Sequence, residues 1–122
     1  DTRFLFRTAC EIWSYDVAEA DNCEQCFSIG AYKVPDLVLF DSDIDFHESL
    51  RLMKTLQNSH VFYEVGFVFI SGHAQTNVRQ TALSSGANFF LLKPVDFVLL
   101  ENFLRNYFRD KNLSVSSRRN NI

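Results

Sequence analysis

The sequence predicts an α/β protein with a parallel sheet, and two observations lead to this class. Three short, nearly continuous apolar runs at residues 36–40, 65–70 and 88–92 are rich in Val, Leu, Ile or Phe. Such runs are typical of strands that helices cover on both faces. Segments with apolar residues at helical spacing separate the runs, and this alternation predicts a parallel sheet with right-handed crossovers.

The first part of the chain contains two predicted helices and a candidate strand. Residues 3–13 carry apolar side chains at helical spacing, and residues 15–18 form a short candidate strand. Asn22, after Asp21, is a suitable N-cap for a helix that is predicted to run to Ile29 and to end at Gly30.

The remaining helices alternate with the three apolar runs. One is predicted around residues 50–56, and a short one over 76–84 stops near Ser85 and Gly86. A last amphipathic helix follows Pro94. We expect residues 1–109 to form one domain and the polar residues 110–122 to be a linker or a disordered tail.

Composition excludes several classes of protein. With 47% hydrophobic residues the chain of 122 residues is not disordered, and its 13 Phe residues indicate an aromatic core. A net charge of -3 without a basic stripe argues against direct nucleic-acid binding. No apolar run approaches the ~20 residues that span a bilayer, and no signal peptide is visible. Together with an odd cysteine count, these features predict a cytoplasmic location.

Cys23 and Cys26 form a C-x-x-C pair. If the segment is helical, the two thiols lie one turn apart on one face. A structural pair is the interpretation that we favour, and redox or metal chemistry is the alternative.

Each apolar run leads into a polar residue: Asp41, Ser71 and Lys93. In open parallel sheets ligands bind beyond the carboxyl ends of the strands. We therefore expect a carboxylate, a hydroxyl and an ammonium group to meet in one crevice.

At this point the sequence resembles the receiver domain of two-component response regulators, over about residues 1–109. Ser71 follows Asp41 by 30 residues, and Lys93 follows Ser71 by 22. The matching stretches are YDVAEADN from residue 15, PDLVLFD from 35, VFISG from 68 and SGANFFLLKPVD from 85. The resemblance implies a three-layer, doubly wound sheet of five parallel strands in the flavodoxin-like order 2-1-3-4-5.

The resemblance also implies a role for each site residue. Asp41 would accept a phosphoryl group, and Lys93 would pair with a phosphoryl oxygen. Ser71 would be the switch hydroxyl and Phe90 the switch aromatic. The bond between Lys93 and Pro94 matches a peptide that is usually cis in this family.

Mg²⁺ is the implied cofactor, because an anionic carboxylate meets an anionic phosphoryl group. Asp1, Asp41 and Asp43 would hold the metal, with Asp43 contributing a backbone carbonyl. Asp45 stands where the family usually has proline, and together with Asp43 it adds negative charge near Asp41.

The family's first strand, which ends in two acidic residues, is missing from this sequence. Three explanations are open: ordered residues precede Asp1, something else supplies the strand, or residues 2–7 pair as a strand. We favour the first, since an interior gap would bury unpaired backbone groups.

The resemblance implies a signalling domain and not a turnover enzyme. Its partners would be a histidine kinase or phosphotransfer protein and a downstream effector, and a homodimer through the 76–109 face is one arrangement that it allows. A degenerate receiver that acts as a constitutive scaffold is the alternative. A phosphatase of the haloacid dehalogenase type is a weaker one, because such enzymes need an acidic pair after the lysine.

Overall fold

The computed structural model describes residues 2–42, 45–72 and 76–120. Three parallel strands lie in the order β1-β2-β3, and they are β1 (Leu37–Asp41), β2 (Gly66–Ser71) and β3 (Phe89–Leu92). Five helices surround them: α1 (Thr2–Ile12), α2 (Cys23–Tyr32), α3 (Phe46–Gln57), α4 (Thr76–Ser84) and α5 (Phe97–Asn120). The predicted α/β class with a parallel sheet is confirmed.

The sheet has an apolar core on each face, which gives three layers. One core includes Phe67 and Phe69 from β2, and helices α2, α3 and α4 contribute to it. The other includes Val68 and Ile70 with side chains of α1 and α5. Every residue of β2 is buried, as expected for a strand that is covered on both faces.

The strand predicted at residues 15–18 does not form, and this prediction was wrong. The predicted strand order places this segment beside the family's first strand, which the sequence does not contain. Without that neighbour the segment has no ladder of hydrogen bonds to join. Instead Tyr15 stacks on Phe108 of α5, with ring centroids 5.0 Å apart. The described residues therefore form three of the five predicted strands.

Two further expectations need correction. Residues 2–7 are helical, which removes the explanation that they pair as a strand. Helix α2 does not end at Gly30 but continues to Tyr32. Gly30 is there for close packing, since a Cβ atom would lie 2.6 Å from Cζ of Phe62.

Helix α5 continues through residues 110–120 and extends to Asn120. Lys111 still contacts the body of the domain through the carbonyl oxygen of Asp36, at 3.3 Å. The division at residue 109 into domain and linker stays a prediction, but a linker over residues 110–120 would be a helical one.

Candidate functional site

The register of the sheet places the three predicted site residues at the same edge. Asp41 is the last residue of β1 and lies level with Ile70 of β2. Ser71 is the last residue of β2 and pairs with Leu92. Lys93 follows directly, and its backbone N–H donates to the carbonyl oxygen of Ser71 at 2.8 Å. The structure therefore brings Asp41, Ser71 and Lys93 to the carboxyl end of the sheet.

An ion pair joins two of these residues. Nζ of Lys93 lies 3.0 Å from one carboxylate oxygen of Asp41 and 3.1 Å from the other. The Asp41 side chain is 42% exposed and the Lys93 side chain 21%. The carboxylate is therefore open to a reactant from solvent, and the Lys93 side chain is the more buried of the two.

Ser42 holds the end of β1 against β2. It is fully buried, and both its backbone N–H and its hydroxyl donate to the carbonyl oxygen of Ile70, at 2.9 Å and 3.0 Å. These bonds fix the chain immediately after Asp41. They hold the backbone next to Asp41 beside the end of β2, where Ser71 is the last residue.

Ser71 and Phe90 lie on the same face of the sheet. Ser71 is fully buried, and Phe90 is half-buried. Phe90 pairs in register with Phe69, two residues before Ser71, so Ser71 and Phe90 are diagonal neighbours. The structure therefore places the predicted switch hydroxyl and the predicted switch aromatic on one face of the sheet, on neighbouring strands and two positions apart in register.

The peptide bond between Lys93 and Pro94 is cis, as the resemblance implied. Asp96, just beyond, accepts hydrogen bonds from the backbone N–H groups of Val98 and Leu99 at 3.0 Å and 3.1 Å. This carboxylate therefore caps the first turn of α5.

Asp45 has a structural partner that the sequence analysis did not assign. Its Oδ1 accepts from the backbone N–H groups of His47 and Glu48 at 3.0 Å and 3.2 Å, so it is the N-cap of α3. The pattern Asp45-x-x-Glu48 before an apolar run is a capping signal that could have predicted this role. Ser42 had no comparable signal, because its partner is 28 residues away.

The predicted metal ligands are only partly within the described residues. Asp1 and Asp43 lie outside them, and the residues that the structure describes contain no cluster of three or more His, Cys, Asp or Glu. Asp41 supplies one exposed carboxylate at the carboxyl end of the sheet. A single carboxylate with waters and phosphate oxygens is an arrangement that Mg²⁺ commonly accepts, so the described donor is compatible with this ion.

Fold and site together define a doubly wound α/β domain with an ion-paired carboxylate at the carboxyl end of its sheet. A sequence model of the response regulator receiver domain matches residues 1–105, and the chain belongs to that family. Receiver domains are signalling domains of two-component systems.

Two curated relatives are regulators of transcription. The chain is 33% identical over 107 residues to the transcriptional regulatory protein ZraR of Klebsiella oxytoca, a match that covers 85% of this chain and 23% of that protein. It is 22% identical over 92 residues to the phosphate regulon transcriptional regulatory protein PhoB of Pseudomonas aeruginosa, covering 75% and 40%. The chain thus spans less than half the length of either relative.

Solved receiver structures share the fold. A response regulator of Chloroflexus aurantiacus superposes with a TM-score of 0.76 at 16% identity, over 86% of each chain. The receiver domain of a sensor histidine kinase from Pseudomonas aeruginosa, solved with a magnesium ion coordinated in its active-site cleft, has a TM-score of 0.68 at 18% identity, again over 86% of each. Among the described helices of this chain, none is both long and apolar enough to cross a membrane.

Proposed function

We propose that this domain is a phosphoacceptor receiver in which Asp41 takes a phosphoryl group from the phosphohistidine of a histidine kinase or phosphotransfer protein. The observation that carries the proposal is the ion pair at the carboxyl end of the sheet, where Nζ of Lys93 contacts both oxygens of Asp41. The carboxylate is exposed enough to react, and it lies next to a cation that can pair with the phosphoryl group once this group is attached.

The chemistry follows from these groups. A carboxylate oxygen of Asp41 attacks phosphorus, the bond from phosphorus to the donor nitrogen breaks, and the imidazole leaves and takes up a proton. Negative charge then grows on the phosphoryl oxygens. The ammonium group of Lys93 is already within 3.1 Å of the carboxylate, so it needs little rearrangement to pair with them.

Mg²⁺ would be held by Asp41, with Asp1 and Asp43 as the further predicted ligands. When bound, it would neutralise charge between carboxylate and phosphoryl group. The magnesium-bound neighbour noted above supports this assignment by its fold.

Ser71 and Phe90 are the proposed switch. Once the phosphoryl group is attached, the Ser71 hydroxyl would donate to one of its oxygens, and Phe90, its diagonal neighbour, would repack on the same face. Phosphorylation would thus bias two conformations of the surface formed by α4, β3 and α5. A cytoplasmic effector domain or protein, or a second copy through the 76–109 face, would read that surface.

A haloacid dehalogenase-type phosphatase is less well supported. Such an enzyme needs an acidic pair after its lysine, whereas Asp96 is engaged in capping α5. A signalling role without turnover fits the site better.

The test is incubation of the protein with Mg²⁺ and acetyl phosphate, followed by intact-mass analysis. We expect the mass of one phosphoryl group to be gained, and to be lost in Asp41→Asn. Asp45→Asn is the matched control, because asparagine preserves the N-cap while removing a nearby charge. A gain that persists in Asp41→Asn would contradict the proposal. No gain, with partner binding that ignores Asp41→Asn, would favour the constitutive scaffold.

A further inference from the structure

Cys23 and Cys26 occupy the first turn of α2, away from the proposed phosphorylation chemistry. Cys23 is the first residue of the helix and Cys26 the fourth, so their side chains project from adjacent positions on one face. Both are free and half-buried. Burial raises the pKa of the Cys26 thiol, and the neighbouring Cys23 raises it further.

Side chains that cap the helix hold this turn in place. The Asn22 side chain accepts a hydrogen bond from the backbone N–H of Gln25 at 2.9 Å. The Gln25 side chain in turn accepts one from the backbone N–H of Asp21 at 2.7 Å. This reciprocal capping orders the backbone between the two cysteines. Residues one turn apart in a helix lie within the Cα separation that a disulfide spans.

We propose that Cys23 and Cys26 form a redox site that a low-molecular-weight disulfide oxidises reversibly to an intrahelical disulfide. The Cys23 thiolate attacks one sulfur of the small disulfide, whose other half leaves as a thiolate. Cys26 then loses its proton and attacks Sγ of Cys23, which releases the second half. Two protein thiols are oxidised by two electrons, and the small disulfide is reduced to two thiols.

The position of each cysteine assigns these roles. Cys23 is the first residue of α2, and unlike Cys26 it is not among the side chains that pack against the core, so it is the thiol that a small disulfide reaches first. Cys26 packs against the core that includes Phe62. Cys26 is therefore the thiol that reacts second, and it attacks Cys23, which lies one helical turn away.

The small ring makes this bridge suited to switching and not to stabilising the fold. It closes a loop of four residues, and the constraint that a disulfide places on the unfolded chain grows with loop length. A metal site at the same position is less well supported, because the described part of the chain offers these thiols no third His, Cys, Asp or Glu ligand.

Cys10 provides an internal control. It is buried within α1, at 7% exposure, and packs in the core on the other face of the sheet. A small disulfide should not reach it in the folded protein. The proposed reaction is therefore selective for two of the three cysteines.

The experiment is to treat the folded, reduced protein with oxidised glutathione, alkylate the remaining thiols in denaturant, and map them by peptide mass. We expect Cys10 to be alkylated and Cys23 and Cys26 to be recovered as one linked peptide, which dithiothreitol restores. In Cys26→Ser, glutathione should stay attached to Cys23. In Cys23→Ser, modification of Cys26 should be slower than that of Cys23 in Cys26→Ser.

Several outcomes would overturn the proposal: full alkylation of both cysteines in the wild type, a stable glutathione adduct in place of the bridge, or a bridge that includes Cys10 or a second chain. Circular dichroism of both serine variants establishes that they are folded. If either variant is unfolded, the wild-type result alone tests the proposal.

Discussion

The hydroxyl of Tyr107 on α5 donates a hydrogen bond of 2.9 Å to the carbonyl oxygen of Asp36, the residue before β1. The same oxygen accepts from the backbone N–H of Gly66 at 3.3 Å and from Nζ of Lys111 at 3.3 Å. One carbonyl thus joins α5 to the beginnings of two strands. This junction lies at the end of the sheet opposite Asp41. It involves α5, the helix that continues through residues 110–120.

Gly66→Ala should destabilise the domain, because the added Cβ would lie 2.5 Å from the Tyr107 hydroxyl and 2.9 Å from Cδ1 of Leu37. Overpacking of this kind costs about 1–3 kcal/mol, which urea denaturation can measure. Tyr107→Ala removes one of the two clashing groups. The double variant should therefore lose less stability than the sum of the single variants. Additive losses would show that the Tyr107 contact does not limit this position.

Ser42→Ala should lower the free energy of unfolding by about 1 kcal/mol, since one buried hydrogen bond to Ile70 is lost while the backbone bond to the same oxygen remains. Ser84→Ala is the matched control, because its exposed hydroxyl makes only a local bond within α4, to Thr81. Urea denaturation of both variants measures the difference. Equal losses of stability in the two variants would mean that the Ser42 hydroxyl does not contribute to holding β1 against β2.

The sequence predicted the strands and the three residues of the crevice because these depend on local patterns. Apolar runs indicate buried strands, and the residues that follow such runs in a parallel sheet must lie at one edge. The failed strand at 15–18 shows the limit of local patterns. A strand also needs a partner, and pairing is a property of the whole sheet. Ser42 was missed for the same reason, because its acceptor lies on another strand.

The C-terminal end of α5 illustrates a second limit. Residues 110–122 are polar and lack an apolar stripe, so their composition predicted a linker or a disordered tail. The structure continues α5 to Asn120, since a helix that is already formed extends at the cost of ordering one residue at a time. The periodicity of apolar residues indicates which face of a helix packs against the core, but it does not indicate where the helix ends.

Lys93→Ala should slow phosphorylation of Asp41 by about 100-fold, on the scale of losing one preorganised charge partner. Initial rates with acetyl phosphate and Mg²⁺, followed by intact mass, measure the effect. Lys33→Ala is the control for loss of a positive charge, because Lys33 forms only an exposed pair with Asp16 at 3.6 Å. An equal decrease in both variants would assign the effect to net charge and not to the contact with Asp41.

Ser71→Ala should separate phosphorylation from switching. The hydroxyl is proposed to bind the phosphoryl group after it has formed, so the variant should still gain phosphate. The phosphorylation-dependent change around Phe90 should be reduced, and amide chemical shifts of β3 and α5 measure it. Ser42→Ala, which removes the other buried hydroxyl at this edge, should retain that change. A full response in Ser71→Ala would contradict the switch role.

Stability should fall in alkaline solution because of two thiols, one buried (Cys10) and one half-buried (Cys26). Burial raises the pKa of Cys10 and of Cys26 above the ordinary value of 9.0. The folded state therefore keeps thiol protons that the unfolded state releases, and stability decreases as the pH rises above 9.0 toward the folded-state values. Urea denaturation across this range, with a reductant present, measures the decrease. In the Cys10→Ala/Cys26→Ala variant, stability should decrease less steeply with pH. Some decrease should remain, because burial also raises the pKa of Tyr15. A slope equal to that of the wild type would exclude the thiols as its cause.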